Sequence, residues 1–567
     1  MPRPLLGLAL ALHVLFAASY AVTTPAFEAP DENCHYEYAW QLGNAGRLPL
    51  GAALAATRGL PQTEGAQLGH HPPLYYALLG GLLAATGTDD TVFGPRLNEQ
   101  FGVPDAAGRH LKFQHGSGQG EVVLLLLRLV SVLLGAITVM LVHRLGTAVC
   151  PGTPRVADLA ALLVACLPMF SFLHGVLNND VLATTLATAT TLELVRLATA
   201  ERLARWPAVR LGLLLGLALL TKLTTLFLLP LLAVALVPPF ARALAQDRLG
   251  ATLRHLPVTV LLVGAIAGWW FVRNATLYDD WLALNVHDAA FQPVPPEHRW
   301  NVFADAFLPN VFSSLLGTFG WFSLQPHPAL LWAARLVAGL ALFGLLRAAF
   351  GRERVALPRP LWLLGLALLL VFAGTVKFNW TAPQPQGRLL LPAIGPAAVL
   401  LAAGLVRASA AMRWRRWLVP LLPLTAAAVF VLWFRPAFDP ALAPAPPSHR
   451  TLVGDIVGAV AAPTIRWRDP APSAADPTLR WSEPGAPADA RYTLYAHDDA
   501  GRVWLATWEW SHGGLVLQGS AAPLPDAARA FLPTDRDVWL VLRRVPDTAD
   551  QDPAALPTSA PLRFRWQ

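Results

Sequence analysis

Long apolar runs separated by sharply sided loops constrain this chain more than any other feature. Ten runs, near residues 4–24, 122–142, 157–177, 180–195, 211–240, 256–272, 329–346, 361–376, 389–406 and 417–434, are apolar enough to lie in a bilayer core. In hydrocarbon each backbone polar group must be satisfied within its own segment, so such runs fold as helices. The whole chain agrees, with 54% hydrophobic and only 14% charged residues, where soluble domains carry about 25% charged. A soluble globular class is excluded.

The loops carry the sidedness. Five of them (143–155, 196–210, 241–254, 347–359 and 407–416) hold seventeen Arg against Glu201, Asp247 and Glu353. The loop 274–327 reverses this, with Asp279, Asp280, Asp288, Glu297 and Asp305 against Arg299. By the positive-inside rule the first set is cytoplasmic and the second is not. The net charge of +7 therefore reports topology, and no nucleic-acid partner is expected. Residues 211–240 would make a helix of roughly 45 Å, too long for a core of about 30 Å. Arg-rich loops on both sides require an even number of crossings, so a pair of short helices turning near Lys222 is expected. The stretch 74–86 is expected along the outer interface or dipping in and back, since a crossing would put Arg144 and Arg155 outside. The expected fold is mainly α, a polytopic transmembrane bundle of about eleven spans, N-terminus cytoplasmic and C-terminus outside. Residues 1–24 read as a retained span, although Ala18 and Ala21 offer signal-peptide-like small residues. Cys34, Cys150 and Cys166 fall at different depths and give no disulfide or metal framework.

Composition shifts near residue 435. The chain divides into a membrane domain, 1–434, with a first outer loop at 25–121, and an extracytoplasmic β-rich domain, 435–567, after an Ala/Pro linker at 441–447. Alternating segments Tyr492–His497, Val503–Trp510 and Val538–Leu542 read as strands. This small domain holds seven of the twenty Trp. Trp504, Trp508 and Trp510 share one strand face, either as core between sheets or as a platform for sugar rings.

The chemistry-bearing residues break this pattern. Asp31 and Glu32 sit side by side just past the first span, and His70, His71 and Tyr75 lie in H-H-P-P-L-Y-Y. Arg128, Lys222, Arg273, Lys377 and Arg388 lie at outer span ends or deeper, where positive charge is costly and wants a partner. A lipid-borne phosphate would suit them, Arg giving bidentate contacts. Each also has a plain reading. Lone cations snorkel to headgroups; Asp31 and Glu32 suit a solvated loop acid and a helix cap. Asn178, Asn179 and Asp180 suit helix capping, and the histidines suit an interface. His35 lacks metal-ligand spacing.

The ordered pieces P-D-E-N-C-H-Y-E-Y-A-W-Q-L-G-N-A-G-R-L-P (30–49), H-P-P-L-Y-Y (71–76), R-L-V-S-V-L-L-G (128–135), N-D-V-L-A (179–183), L-L-T-K (219–222), W-W-F-V-R-N-A-T-L-Y (269–278) and Q-G-R-L-L-L-P (386–392) resemble the GT-C superfamily of membrane glycosyltransferases. The likeness is to glycosyltransferase family 39, the protein O-mannosyltransferase and aminoarabinose-transferase relatives, over roughly residues 1–430. It implies transfer of a sugar from a polyprenyl-phosphate (or diphosphate) carrier to a protein, lipid or glycan acceptor on the non-cytoplasmic face, with inversion. Asp31 matches the general base of the first outer loop, with Glu32 as helper. His70, His71, Tyr75, Arg128, Asn179, Asp180, Lys222, Arg273, Lys377, Gln386 and Arg388 fall where substrate is bound. Asp180 would hold a sugar hydroxyl or orient a cation. Some relatives use a divalent cation (Mg or Mn), which Asp31, Glu32 and Asp180 would share. The long insert 88–120 and the N-C-H after the acid pair depart from the pattern. A bacterial inner (cell) membrane location is expected. The alternatives are a transporter or lipid flippase, which would more often show internal repeats, and an inactive relative that only binds lipid-linked sugar.

Overall fold

The computed structural model describes residues 4–58, 64–87, 96–98, 101, 108–114, 119–291, 299–350, 358, 360–382, 384–408, 415–439, 441, 465–468, 478–486, 491–497, 516–518, 520–523, 538–544 and 562–564. The principal helices are α1 (Pro4–Thr23), α2 (Glu32–Asn44), α3 (Leu74–Thr86), α4 (Gln119–Val149), α5 (Pro154–Ala165), α6 (Pro168–Leu173), α7 (Asp180–Thr199) and α8 (Arg205–Leu219). They continue with α9 (Leu223–Ala245), α10 (Leu256–Tyr278), α11 (Arg299–Gly317), α12 (Pro328–Phe350), α13 (Leu361–Thr381), α14 (Gly387–Ala408) and α15 (Val419–Ala437). Among the described residues nine helices are long and apolar enough to cross a bilayer: α1, α4, α7, α9, α10, α12, α13, α14 and α15. The chain is a multi-pass membrane protein, mainly α.

Two breaks in the apolar runs shape the site. The run 211–240 does not continue as one helix. Helix α8 ends at Leu219, Lys222 is extended, and a 3-10 turn at Leu223–Phe227 opens α9. The run 157–177, expected as one span, breaks at Leu167 into α5 and α6. Pro168 has no N–H to offer the preceding turn and pushes Leu167 out of the helical region.

Past α6, residues 174–179 are irregular and fully buried. Irregular backbone inside a membrane bundle must find partners in the protein. Here Leu177 N donates to Glu32 Oε1 (2.9 Å), Asn178 N to the Tyr75 hydroxyl (3.0 Å) and Asp180 N to Asn178 Oδ1 (2.8 Å).

Helices α2 and α3 pack with their backbones in contact. A Cβ on Gly43 would lie 2.1 Å from the Gly80 carbonyl oxygen, so only glycine permits the crossing. Gly43→Val is expected to cost about 1–3 kcal/mol, read as a lowered midpoint in thermal unfolding of the detergent-purified protein. A midpoint equal to the parent's would contradict the close crossing.

By packing, the chain forms two compact units: Met1–Thr24, Ala29–Val92 and Gln119–Pro436 in the first, and Pro25–Glu28, Phe93–Gly118 and Ala437–Gln567 in the second. Within the second, Glu28 accepts from the backbone N–H groups of Lys112 and Phe113, each at 2.8 Å. Its strands are antiparallel. Three (Arg466–Trp467, Thr478–Ser482, Ala521–Pro523) form one sheet; a second is ordered Val516–Gln518, Arg491–His497, Val538–Arg544, Leu562–Phe564. Trp481 is fully buried and meets Tyr492 edge-on at 5.5 Å, filling core as large aromatics do. The segment Val503–Trp510, with its three Trp, and most of the linker 441–447 lie outside the described residues.

Candidate active site

The two adjacent carboxylates point to different places. Glu32 opens α2 and is fully buried. Its Oε2 lies 2.5 Å and its Oε1 2.8 Å from the Arg128 guanidinium of α4. Arg128 also donates to the carbonyls of Ala21 and Thr24 at 2.9 and 2.6 Å. This bidentate pair joins α1, α2 and α4 and supports the irregular stretch through Leu177. Glu32 and Arg128, expected to assist the base and to receive phosphate, pair with each other and with backbone groups. Tyr75, expected to bind substrate, is likewise buried and holds Asn178 N.

Asp31 is held in the left-handed region (φ 66, ψ 2) and makes no side-chain cap on α2. That conformation is uncommon outside glycine, and Asp is among the residues that tolerate it. Its carboxylate turns to Arg388, with Oδ2 to Nη2 at 2.6 Å; 35% of the Asp31 side chain stays exposed against 14% for Arg388. Arg388 stands on the 3-10 turn that opens α14. Gly387 beside it lies so close to α11 that a Cβ would meet Leu315 N at 2.2 Å, and Gly387 N donates to the Ser314 hydroxyl at 2.7 Å. Glycine at 387 sets how closely Arg388 approaches.

A second ion pair adjoins the first. Lys222 Nζ, from the break before α9, lies 2.8 Å from Oδ1 of the fully buried Asp180 at the start of α7. Oδ2 of Asp180 is buried without a hydrogen-bond partner among the described residues. Burial pushes the Asp31 carboxyl up. The Arg388 guanidinium, with His35 and Lys222 behind it, outweighs burial and holds Asp31 below the usual carboxylate range, though solvent at its exposed third screens part of this.

Around Asp31 lies an aromatic and imidazole layer. His35 Nδ1 and His71 Nδ1 are each 2.9 Å from the Tyr76 hydroxyl, and Asn179 Nδ2 is 3.2 Å from His71 Nδ1. Tyr76 stacks on Tyr38 at 3.8 Å, nearly parallel. His70 meets His71 edge-on at 4.4 Å and His287 at 5.5 Å. Burial pushes His35 and His70 down to about 3, so both are neutral near pH 7. A small cleft beside Arg388 is walled by Met169, Phe172, Leu173 and Phe322, with Ser314, Thr318 and Gln386 supplying polar atoms.

Residues 120–270 match the family model described as dolichyl-phosphate-mannose-protein mannosyltransferase. ArnT from Cupriavidus metallidurans, solved with undecaprenyl phosphate, is similar at 14% identity and a TM-score of 0.45, over 81% of both chains. The Archaeoglobus fulgidus oligosaccharyltransferase, solved with Zn and sulfate, is similar at 14% identity and a TM-score of 0.43, over 80% of this chain and 55% of that one. No curated protein sequence matches.

Of the site residues expected from sequence, Asp31, Arg388, Lys222 and Asp180 come together as two ion pairs. His71 and Asn179 join the layer beside them, and Gln386 lines the cleft. Arg273 lies over the Trp270 ring at 4.6 Å and donates to the Pro49 carbonyl at 3.3 Å, apart from these pairs. Lys377 is exposed on α13 and enters none of the ion pairs among the described residues. His35, Tyr76 and Tyr38 were missed as site residues; the four-residue step from Asp31 to His35 on one helix face was the available signal. Among the described residues no group of three His, Cys, Asp or Glu is placed to hold a metal ion. The donor set does not fit the divalent cation either: Asp31 and Asp180 each face a cationic side chain, and Glu32 is committed to Arg128.

Proposed function

We propose that this chain moves a sugar from a polyprenyl-phosphate carrier to an acceptor of the bacterial cell envelope on the non-cytoplasmic face, inverting the anomeric centre, with Asp31 as general base. The observation that carries this reading is the Asp31–Arg388 pair beside Lys222–Asp180, in a chain whose central stretch matches a family named for a polyprenyl-type phosphate donor.

The chemistry follows from the partners. In the free protein Arg388 keeps Asp31 ionised. An incoming carrier phosphate competes for the same guanidinium. When Arg388 turns to it, Asp31 loses a cation and gains an anionic neighbour, so its proton affinity rises when it must act. Asp31 then takes the acceptor's proton, the acceptor oxygen attacks the anomeric carbon, and the bond from that carbon to the phosphate oxygen breaks. The departing phosphate keeps the electron pair, and Arg388 and Lys222 stabilise its charge by being in place beforehand. Asp180 holds Lys222 with one oxygen and offers the other to a sugar hydroxyl. The apolar wall of Met169, Phe172, Leu173 and Phe322 suits hydrocarbon next to a phosphate.

Membranes from expressing cells, incubated with radiolabelled polyprenyl-phosphate sugars, test the reading by loss of label from the lipid. Arg388→Ala is expected to lower kcat/KM by about 10²–10³-fold, the scale for one lost charge-stabilising donor. Wild-type membranes that leave every carrier intact would sink the proposal.

The pH dependence has a definite sign. A depressed carboxylate stays charged until the pH falls through its lowered value. The acid limb of kcat/KM, which reports the free enzyme, therefore lies below the ordinary aspartate range. The limb of kcat, reporting the carrier-bound state, lies higher. Coincident limbs would contradict the partner exchange at Arg388.

A further inference from the structure

The layer behind Asp31 has a direction built into its hydrogen bonds. Asn179 Nδ2 donates to His71 Nδ1 at 3.2 Å, so that nitrogen carries a lone pair. The Tyr76 hydroxyl, 2.9 Å from the same nitrogen, meets that one lone pair as a donor and shares it with the amide. The Tyr76 oxygen is then an acceptor toward His35 Nδ1 at 2.9 Å, and His35 Nδ1 must bear the hydrogen. In a neutral imidazole only one ring nitrogen is protonated, so His35 Nε2 is left with a lone pair. His35 lies one turn beyond Asp31, its backbone N–H donating to the Asp31 carbonyl at 2.9 Å, and its imidazole is an electrostatic neighbour of the Asp31 carboxylate.

Resting on the reading of Asp31 as the base, we propose that His35, Tyr76 and His71 form a proton path that empties Asp31 while the site is closed over its substrates. His35 Nε2 accepts the proton that Asp31 has taken from the acceptor hydroxyl. His35 Nδ1–H passes to the Tyr76 oxygen as the Tyr76 hydroxyl proton passes to His71 Nδ1, and His71 releases its Nε2 proton. One proton enters and one leaves, and Tyr76 stays a neutral phenol before and after. The exit is physically sensible: His35 and Tyr76 are buried, whereas His71 is partly exposed. Once products depart, His71 takes a proton at Nε2 from solvent and passes its Nδ1 proton to the Tyr76 oxygen as the Tyr76 proton returns to His35 Nδ1; His35 then releases its Nε2 proton to water in the open site, and the original pattern returns. His35 and Tyr76 are positioning residues here; neither needs to touch the sugar.

Tyr76→Phe removes the hydroxyl and keeps the ring that stacks on Tyr38. In single-turnover transfer by the full-length protein, with radiolabelled polyprenyl-phosphate sugar and its acceptor in membranes, the variant is expected to slow by about tenfold with carrier KM unchanged. Its rate across H₂O/D₂O mixtures should vary linearly, as for one moving proton, where the wild type curves as for several. His35→Gln should do the same, which guards against a folding defect in either variant. Independently of activity, nitrogen NMR of histidine-labelled protein should show His35 protonated at Nδ1. A Tyr76→Phe variant with wild-type rate and the same curvature overturns the path, as does His35 protonated at Nε2. If wild type transfers nothing from any carrier, the transferase reading itself falls, and the nitrogen spectrum still decides the hydrogen pattern.

Discussion

Asp31→Asn is expected to lower single-turnover sugar transfer by about 10²–10⁴-fold, the range for removing a general base, while carrier binding holds or tightens. The second half of that expectation comes from the geometry. Asp31 is the partner of Arg388 at 2.6 Å, so it competes with phosphate for the guanidinium. The uncharged amide competes less, and KM for the carrier should fall or stay level as kcat collapses. This split separates a base from a mere binding residue, whose loss would raise KM. The structure should survive, because Asp31 caps nothing and is one-third exposed. Transfer within tenfold of wild type would remove Asp31 from the role.

Its neighbour should behave in the opposite way. Glu32→Ala leaves the Arg128 guanidinium buried without its carboxylate and Leu177 N without its acceptor. Breaking a buried pair by deleting one partner typically costs about 3–5 kcal/mol. The expected result is a large fall in thermal midpoint and in recovered folded protein, measured by fluorescence-detected size exclusion after heating in detergent. Activity per folded molecule should drop far less than in Asp31→Asn. Glu32→Gln with a wild-type midpoint but no transfer would reverse the two assignments and make Glu32 the base.

That two adjacent acids divide in this way was not legible from D-E alone. Sequence carries the outliers, since a carboxylate or cation at the edge of an apolar run is visible wherever it falls. It does not carry their pairing, because partners such as 31 and 388 meet only through the packed bundle. The helix break at Lys222 was readable from length and charge: thirty apolar residues between two Arg-rich loops admit few other solutions. The break at Leu167 was signalled by Pro168 but masked by the apolar residues on both sides. Arg128 shows the limit most clearly. A cation near the start of a span suits a phosphate or a buried acid equally, and only the packing of α2 against α4 decides. His35 was seen and set aside for lacking metal spacing, although the same four-residue step put it one turn above Asp31.

The ion pair at the centre of the site joins residues 357 positions apart. During synthesis the carboxylate leaves the ribosome well before the guanidinium, by roughly 20–70 s at typical elongation rates. Until Arg388 is made and inserted, the guanidinium that faces the Asp31 carboxylate is missing from the site. A chain interrupted anywhere before α14 therefore lacks the guanidinium that the proposed chemistry needs.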